Sequence, residues 1–169
     1  MAGKKGFTLI EVVVVTLIIA ALALLVAPSF KNSVMTNQME MAKIGLVELT
    51  TAVKLYNEIH DSNPMSGIFN KDNFDLLTQE DTEQGYVYLQ NSNRWGLRTG
   101  SATEYSLRTA EGVLNCRYTI GDNQDTSILS HTTCKFTGPD EDVEECYKFF
   151  IQKTNPAIVK KVRLDSCEL

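Results

Sequence analysis

The chain lacks the short motifs by which most enzymes can be read. No GxSxG, HExxH or P-loop sequence occurs in its 169 residues. It has two histidines, His60 and His131, and neither has a second ligand at helical or hairpin spacing. Its four cysteines form no CxxC pair, and their spacing suits no zinc ribbon. The chain therefore offers no nucleophile beside a base and no metal centre, and it reads as a protein with no enzymatic activity, cofactor or metal. Basic runs are equally scarce. Only Lys4-Lys5 and Lys160-Lys161-x-Arg163 stand out, against a formal net charge of -5. An acidic chain of this kind is not expected to hold nucleic acid through its overall field. There is no internal repeat and no low-complexity segment. The chain is 43% hydrophobic and 22% charged, and the part beyond its apolar N-terminus fits one domain with a modest core.

Charge is also missing from Val12 to Ala27, where Thr16 is the one polar side chain. Phe7 to Ala27 reaches the about twenty apolar residues with which a helix crosses a bilayer at ~1.5 Å per residue, provided Glu11 is tolerated inside it. A carboxylate at the centre of such a segment costs about 2.5–3.5 kcal/mol, and less near the interface. Glu11 therefore asks for a partner. If the chain began at Phe7, Glu11 would lie one helical turn, roughly 6 Å, from a free α-amino group and near the positive end of the helix dipole. An ordinary secretory signal cut near Ala23 has no use for Glu11. A simple single-pass anchor has no use for Gly6-Phe7.

The string KKGFTLIEVVVV, with Gly6, Phe7 and Glu11 so spaced, resembles the class III signal of type IV pilins and of type II secretion pseudopilins. Pro28 stands where type IV pilins carry a helix-kinking proline, and the resemblance covers residues 4–30. It implies that a prepilin peptidase and methyltransferase cuts Gly6–Phe7 and methylates Phe7. It implies that Glu11 pairs with the amino group of a neighbouring Phe7 as a helical homo-oligomeric filament forms. Such a subunit would wait in the inner membrane, soluble domain on the non-cytoplasmic side, until an inner-membrane assembly platform adds it to an extracellular pilus. Two further readings stand beside the type IV pilin. One is a pseudopilin, a piston-like part of a secretion system. The other is a membrane-anchored minor pilin or adhesin, whose ligand would be held by the loops at 57–85 or 121–131.

Behind an export signal, four cysteines read as two disulfides. Three pairings of Cys116, Cys134, Cys146 and Cys167 are possible. Cys116–Cys134 with Cys146–Cys167 is favoured because each closes a loop of around twenty residues, worth ~3 kcal/mol in the chain-entropy model. Losing Lys4 and Lys5 with the leader would leave 14 basic residues against 21 acidic ones, a balance of -7.

The chain divides into a leader at 1–6, a hydrophobic transmembrane or assembly helix at 7–30, its amphipathic continuation at 31–59, a connecting region at 57–85 and a disulfide-stabilised β domain at 86–169. In the continuation Met35, Met39, Ala42, Leu46, Leu49, Val53 and Tyr56 alternate spacings of four and three, an apolar stripe on one helix face. Lys43, Glu48, Lys54 and Glu58 lie off it. Pro28 should bend the helix, and Gly45 should weaken it slightly. Asp61-Ser62-Asn63-Pro64 should stop it. A short helix is expected at Asp72 to Gln79 with Asp72 as its cap. Strands are expected at Tyr86–Gln90, Glu104–Thr109, Val113–Ile120, Thr132–Phe136, Cys146–Gln152 and Ile158–Leu164. A long helix ahead of a run of strands predicts an α+β domain with an antiparallel sheet packed on the helix, as in the pilins. Asn93-Arg94-Trp95-Gly96 faintly resembles the tryptophan-glycine loop of major pseudopilins, but Trp95 reads better as a packing residue at the sheet edge. Asp140-Glu141-Asp142-x-Glu144-Glu145 lacks EF-hand spacing and reads as a solvated acidic loop.

Overall fold

The computed structural model describes residues 8–122, 125–137 and 144–169, and for residues 24–31 it describes the backbone alone. One long helix, α1 (Leu9–Ile59), opens the fold. Thr8 caps it through a capping box. The Thr8 hydroxyl accepts from the Glu11 N–H at 3.3 Å, and the Glu11 carboxylate accepts from the Thr8 N–H and hydroxyl at 2.8 Å each. The backbone is helical through position 28, so α1 is one element on both sides of Pro28. The helix stops at His60, whose N–H donates to the Tyr56 carbonyl at 2.9 Å.

The strands are antiparallel throughout and divide into two sheets. β1 (Gly67–Ile68), β5 (Cys116–Ile120), β6 (Ile128–Thr137), β7 (Glu144–Gln152) and β8 (Asn155–Leu164) form the larger, in the order β1-β5-β6-β7-β8. β2 (Trp95–Leu97), β3 (Tyr105–Thr109) and β4 (Gly112–Val113) form the smaller. The strand expected at Val113–Ile120 is broken at Leu114 and Asn115. There the Leu114 N–H turns to the Leu107 carbonyl at 2.9 Å, and β4 and β5 serve different sheets. β6 alternates buried and half-buried residues from Ile128 to Phe136, the pattern of a strand with one face on the core.

The stripe on α1 meets this sheet. All seven of its residues are buried, with Ala42, Leu46 and Leu49 fully so, against Tyr118, Phe149 and Ile151 of the large sheet and Leu107 of the small one. Thr50 and Ser130, both buried, share a hydrogen bond across the same seam. Gly45 has a role that helix propensity alone does not suggest. A Cβ there would lie 2.8 Å from the Tyr118 hydroxyl and 3.3 Å from Leu107 Cδ1. Its absence lets the helix approach closely enough for that hydroxyl to donate to the Ala42 carbonyl at 3.3 Å.

The connecting region is part of this core. α2 (Lys71–Thr78) is capped by the Asn70 side chain, which accepts from the Asn73 N–H at 3.0 Å, so the cap falls two residues before the expected Asp72. Phe69 and Leu77 are fully buried. Tyr86–Gln90 is not a strand. The Leu89 N–H goes to the Leu77 carbonyl at 2.8 Å, and the Tyr88 hydroxyl donates to Asp81 at 2.5 Å, so local partners replace a ladder. Trp95 packs in the core against Phe69 and Tyr118, with ring centroids 5.2 and 5.1 Å away.

Both disulfides join the residues that loop length favours. Cys116 and Cys134 stand directly opposite each other on β5 and β6. Cys146 on β7 holds Cys167, which ties the C-terminal tail back to the sheet.

Candidate functional site

The candidate site is the N-terminal part of α1. From Leu9 to Ala23 every side chain is exposed, including Leu9 at 83%, Leu17 at 65% and Ile19 at 60%. These residues are apolar on every side of the helix. A helix with no polar face has no orientation on a core of its own, because any rotation leaves apolar surface in water. Gly6 and Phe7 lie outside the described residues, and of Pro28 only the helical backbone is described. The expected membrane segment at 7–30 therefore falls partly outside them. Among the described residues no helix is long and apolar enough to cross a membrane.

Glu11 is the one ionisable group in the described apolar stretch. Its carboxylate is held at the first turn by the two Thr8 donors, at the positive end of the helix dipole. The role of Thr8 is an addition from the structure, although Thr-x-x-Glu ahead of an apolar run is the capping-box pattern and could have signalled it.

The remaining polar side chains of interest are held by ordinary partners. His60 stacks on Tyr56 with ring centroids 4.3 Å apart, and its Nε2 lies 3.5 Å from Asp81. His131 lies 3.6 Å from the Asp122 carboxylate, which also pairs with Lys148 at 2.7 Å. Burial, helped by the Lys148 charge, pushes the His131 imidazole below its usual value, with Asp122 opposing in part. Within the acidic loop Asp140 to Val143 lie outside the described residues. Glu144 pairs with Lys135 at 2.6 Å, and Glu145 pairs with Arg163 at 3.5 Å while accepting from the Tyr147 hydroxyl at 2.6 Å. Among the described residues no group of three His, Cys, Asp or Glu is placed to hold a metal ion.

A half-buried ionic cluster ties the β2–β3 turn of the small sheet to β5 of the large one. Glu104 accepts from Nε and Nη2 of Arg117 at 3.1 Å each, and from Nε of the buried Arg98 at 2.9 Å. Burial raises the Glu104 carboxyl, but the hydrogen bonds and charges of the two guanidinium groups outweigh it and hold it below the usual carboxylate value.

Comparison with known proteins reaches the N-terminal segment alone. No curated protein and no solved structure matches the chain. Residues 1–27 match the family model described as the prokaryotic N-terminal methylation motif. That motif is typical of type IV pilins and pseudopilins, and through it the first 27 residues support a pilin- or pseudopilin-like protein.

Proposed function

We propose that the protein is the structural subunit of a type IV pilus filament. The observation that carries this reading is the contrast within α1. A helix that bears the methylation motif leaves its apolar side chains from Leu9 to Ala23 exposed while its second half is packed on the protein's own sheets. In a membrane that surface would face lipid. In a filament it would face the same segment of neighbouring subunits, so assembly exchanges one apolar contact for another.

In this reading a prepilin peptidase cuts between Gly6 and Phe7 and methylates the new amino group. Cleavage creates a cation one turn before Glu11, whose carboxylate already faces the N-terminal end of the helix. An incoming subunit's Phe7 amine would supply the charge that Glu11 lacks in an apolar core, and an unpaired carboxylate there is penalised. Glu11 thereby sets register. The inner membrane holds the subunit before assembly, with the sheet domain on the non-cytoplasmic side, and an assembly platform in that membrane adds it to the fibre.

The test is Glu11→Ala in cells that depend on this subunit. The protein should fold, insert and be processed normally, while surface filaments fall sharply in number. Filaments at normal density on these cells would refute the register role. Abundant filaments on wild-type cells, detected with antibody against the sheet domain, support the pilus reading. Their absence beside a working secretion system would favour the pseudopilin.

A further inference from the structure

We propose that the free edge of β8 is a docking site for an extended, acidic segment of a partner protein, which adds as a further strand beside β8. β8 ends the order of the five-stranded sheet and, among the described residues, pairs on one side only, with β7. It is ten residues long, and nearly all of them are exposed. Every second residue of such a strand turns its N–H and C=O outward, a ready template for another strand. β1, which ends the other side of the sheet, is a two-residue strand and offers little to pair with. The C-terminal tail does not cover the β8 edge. Cys167 is bonded to Cys146, and its Sγ lies 3.9 Å from the Cys134 carbonyl, so the tail turns back over β7 and β6.

The occupant is argued from charge. Asn155–Leu164 carries Lys160, Lys161 and Arg163 and no acid, in a chain whose net charge is -5. Lysines on an edge discourage indiscriminate pairing. They do so selectively. A second copy pairing antiparallel about this basic run would set like charges opposite each other, which destabilises a ladder. An acidic residue set opposite Lys160, whose partner within the chain is the neutral Gln152, would find complementary charge there, while Lys161 over the Tyr147 ring and Arg163 beside Glu145 lie on the other face. Ile158 and Val162 are both about half exposed and share a face with Lys160 between them. An apolar, acidic, apolar order at every second residue of the partner fits that face. Pro156 has no N–H to donate, which sets one limit of the platform and leaves 157–164 for pairing.

The experiment is amide hydrogen exchange on the full chain in detergent micelles, read residue by residue. The probe is a short synthetic peptide with threonine at alternate positions and valine, glutamate and valine between them, so that one face reads valine, glutamate, valine; its control carries lysine in place of the glutamate. At about ten times its Kd the acidic peptide should slow exchange at alternate β8 amides by about tenfold, as mass action requires. The lysine peptide should leave them unchanged. Lys160→Glu combined with Arg163→Glu, both at exposed positions, should invert that preference. The proposal is overturned if the acidic peptide protects no β8 amide, or if both peptides protect them equally. It is also overturned if β8 becomes protected in the chain alone as protein concentration rises, which would make a second copy the occupant.

Discussion

The two halves of α1 are built from similar amounts of apolar side chain and end in opposite situations. From Leu9 to Ala23 the apolar residues surround the helix and all are exposed. From Met35 to Tyr56 seven of them form a stripe on one face, and that stripe is buried, while Ile44, Val47 and Leu55 off it are exposed. Arrangement, and not the quantity of hydrophobic residues, decides where a helix finds its partners. A stripe can be satisfied by a sheet of the same chain. A helix apolar on every side needs surroundings on every side, such as lipid or other helices. The difference places the packing of the domain in the second half, and assembly through the first is the proposal it supports.

The sharpest way to break this division is to truncate one residue in each half. Leu46→Ala, at a fully buried position, should lower the unfolding free energy of the sheet domain by about 2–5 kcal/mol. Leu17→Ala, at an exposed one, should change it by less than about 0.5 kcal/mol. Denaturant titration followed by the fluorescence of the single, buried Trp95 measures both. A large loss from Leu17→Ala would mean that the first half also packs on the domain.

Removing the Cys116–Cys134 crosslink by changing both residues to alanine should cost ~3 kcal/mol in the same titration, with processing at the N-terminus unaffected. Reduced processing in that variant would show that the two halves are not independent.

Gly45→Ala sharpens the comparison from within the second half. In an exposed helix the change would stabilise by up to about 1 kcal/mol. Here the new methyl meets the Tyr118 hydroxyl and Leu107, and a net loss of about 1–3 kcal/mol is expected from overpacking. A gain in thermal stability would show that the helix does not sit this close to the sheets.

The smallest effect concerns pH. The folded protein holds the Glu104 carboxyl below its usual value, so the unfolded chain binds the proton more readily. The contribution is fully present above the unfolded value of ~4.3 and is lost as pH falls through the folded one. Unfolding measured between neutral and acidic pH should therefore lose stability at the acid end, and Glu104→Gln should flatten that loss. An unchanged acid limb in Glu104→Gln would assign it to other carboxylates.

These contrasts also separate the features that are legible in the sequence from those that are not. The seven stripe residues are legible because a period near 3.6 records directly which face meets a core. The α+β class follows from one long helix ahead of alternating strands, and loop length favours, among three possible pairings, the disulfides that are found. The division into two sheets is not legible, since it depends on where Leu114 and Asn115 send their backbone groups. Tyr86–Gln90 has a strand-like composition, yet Asp81 and Leu77 claim its donors. Gly45 looks like a weak point because propensity describes an isolated helix, and the Tyr118 hydroxyl above it comes from a strand far along the chain. At the N-terminus Glu11 is conspicuous as an acid among apolar neighbours, whereas Thr8 shows in the sequence only through its capping-box spacing to Glu11.

The central claim is that the exposed apolar half of α1 is an assembly segment created by processing ahead of Glu11. The most direct test is the N-terminal residue of the mature protein, determined by mass spectrometry on membranes and on sheared surface material. The account predicts an N-methylated Phe7 in both fractions. A chain that begins near Leu24, or that keeps Met1 or Ala2, would leave Glu11 without its amine and contradict the filament reading.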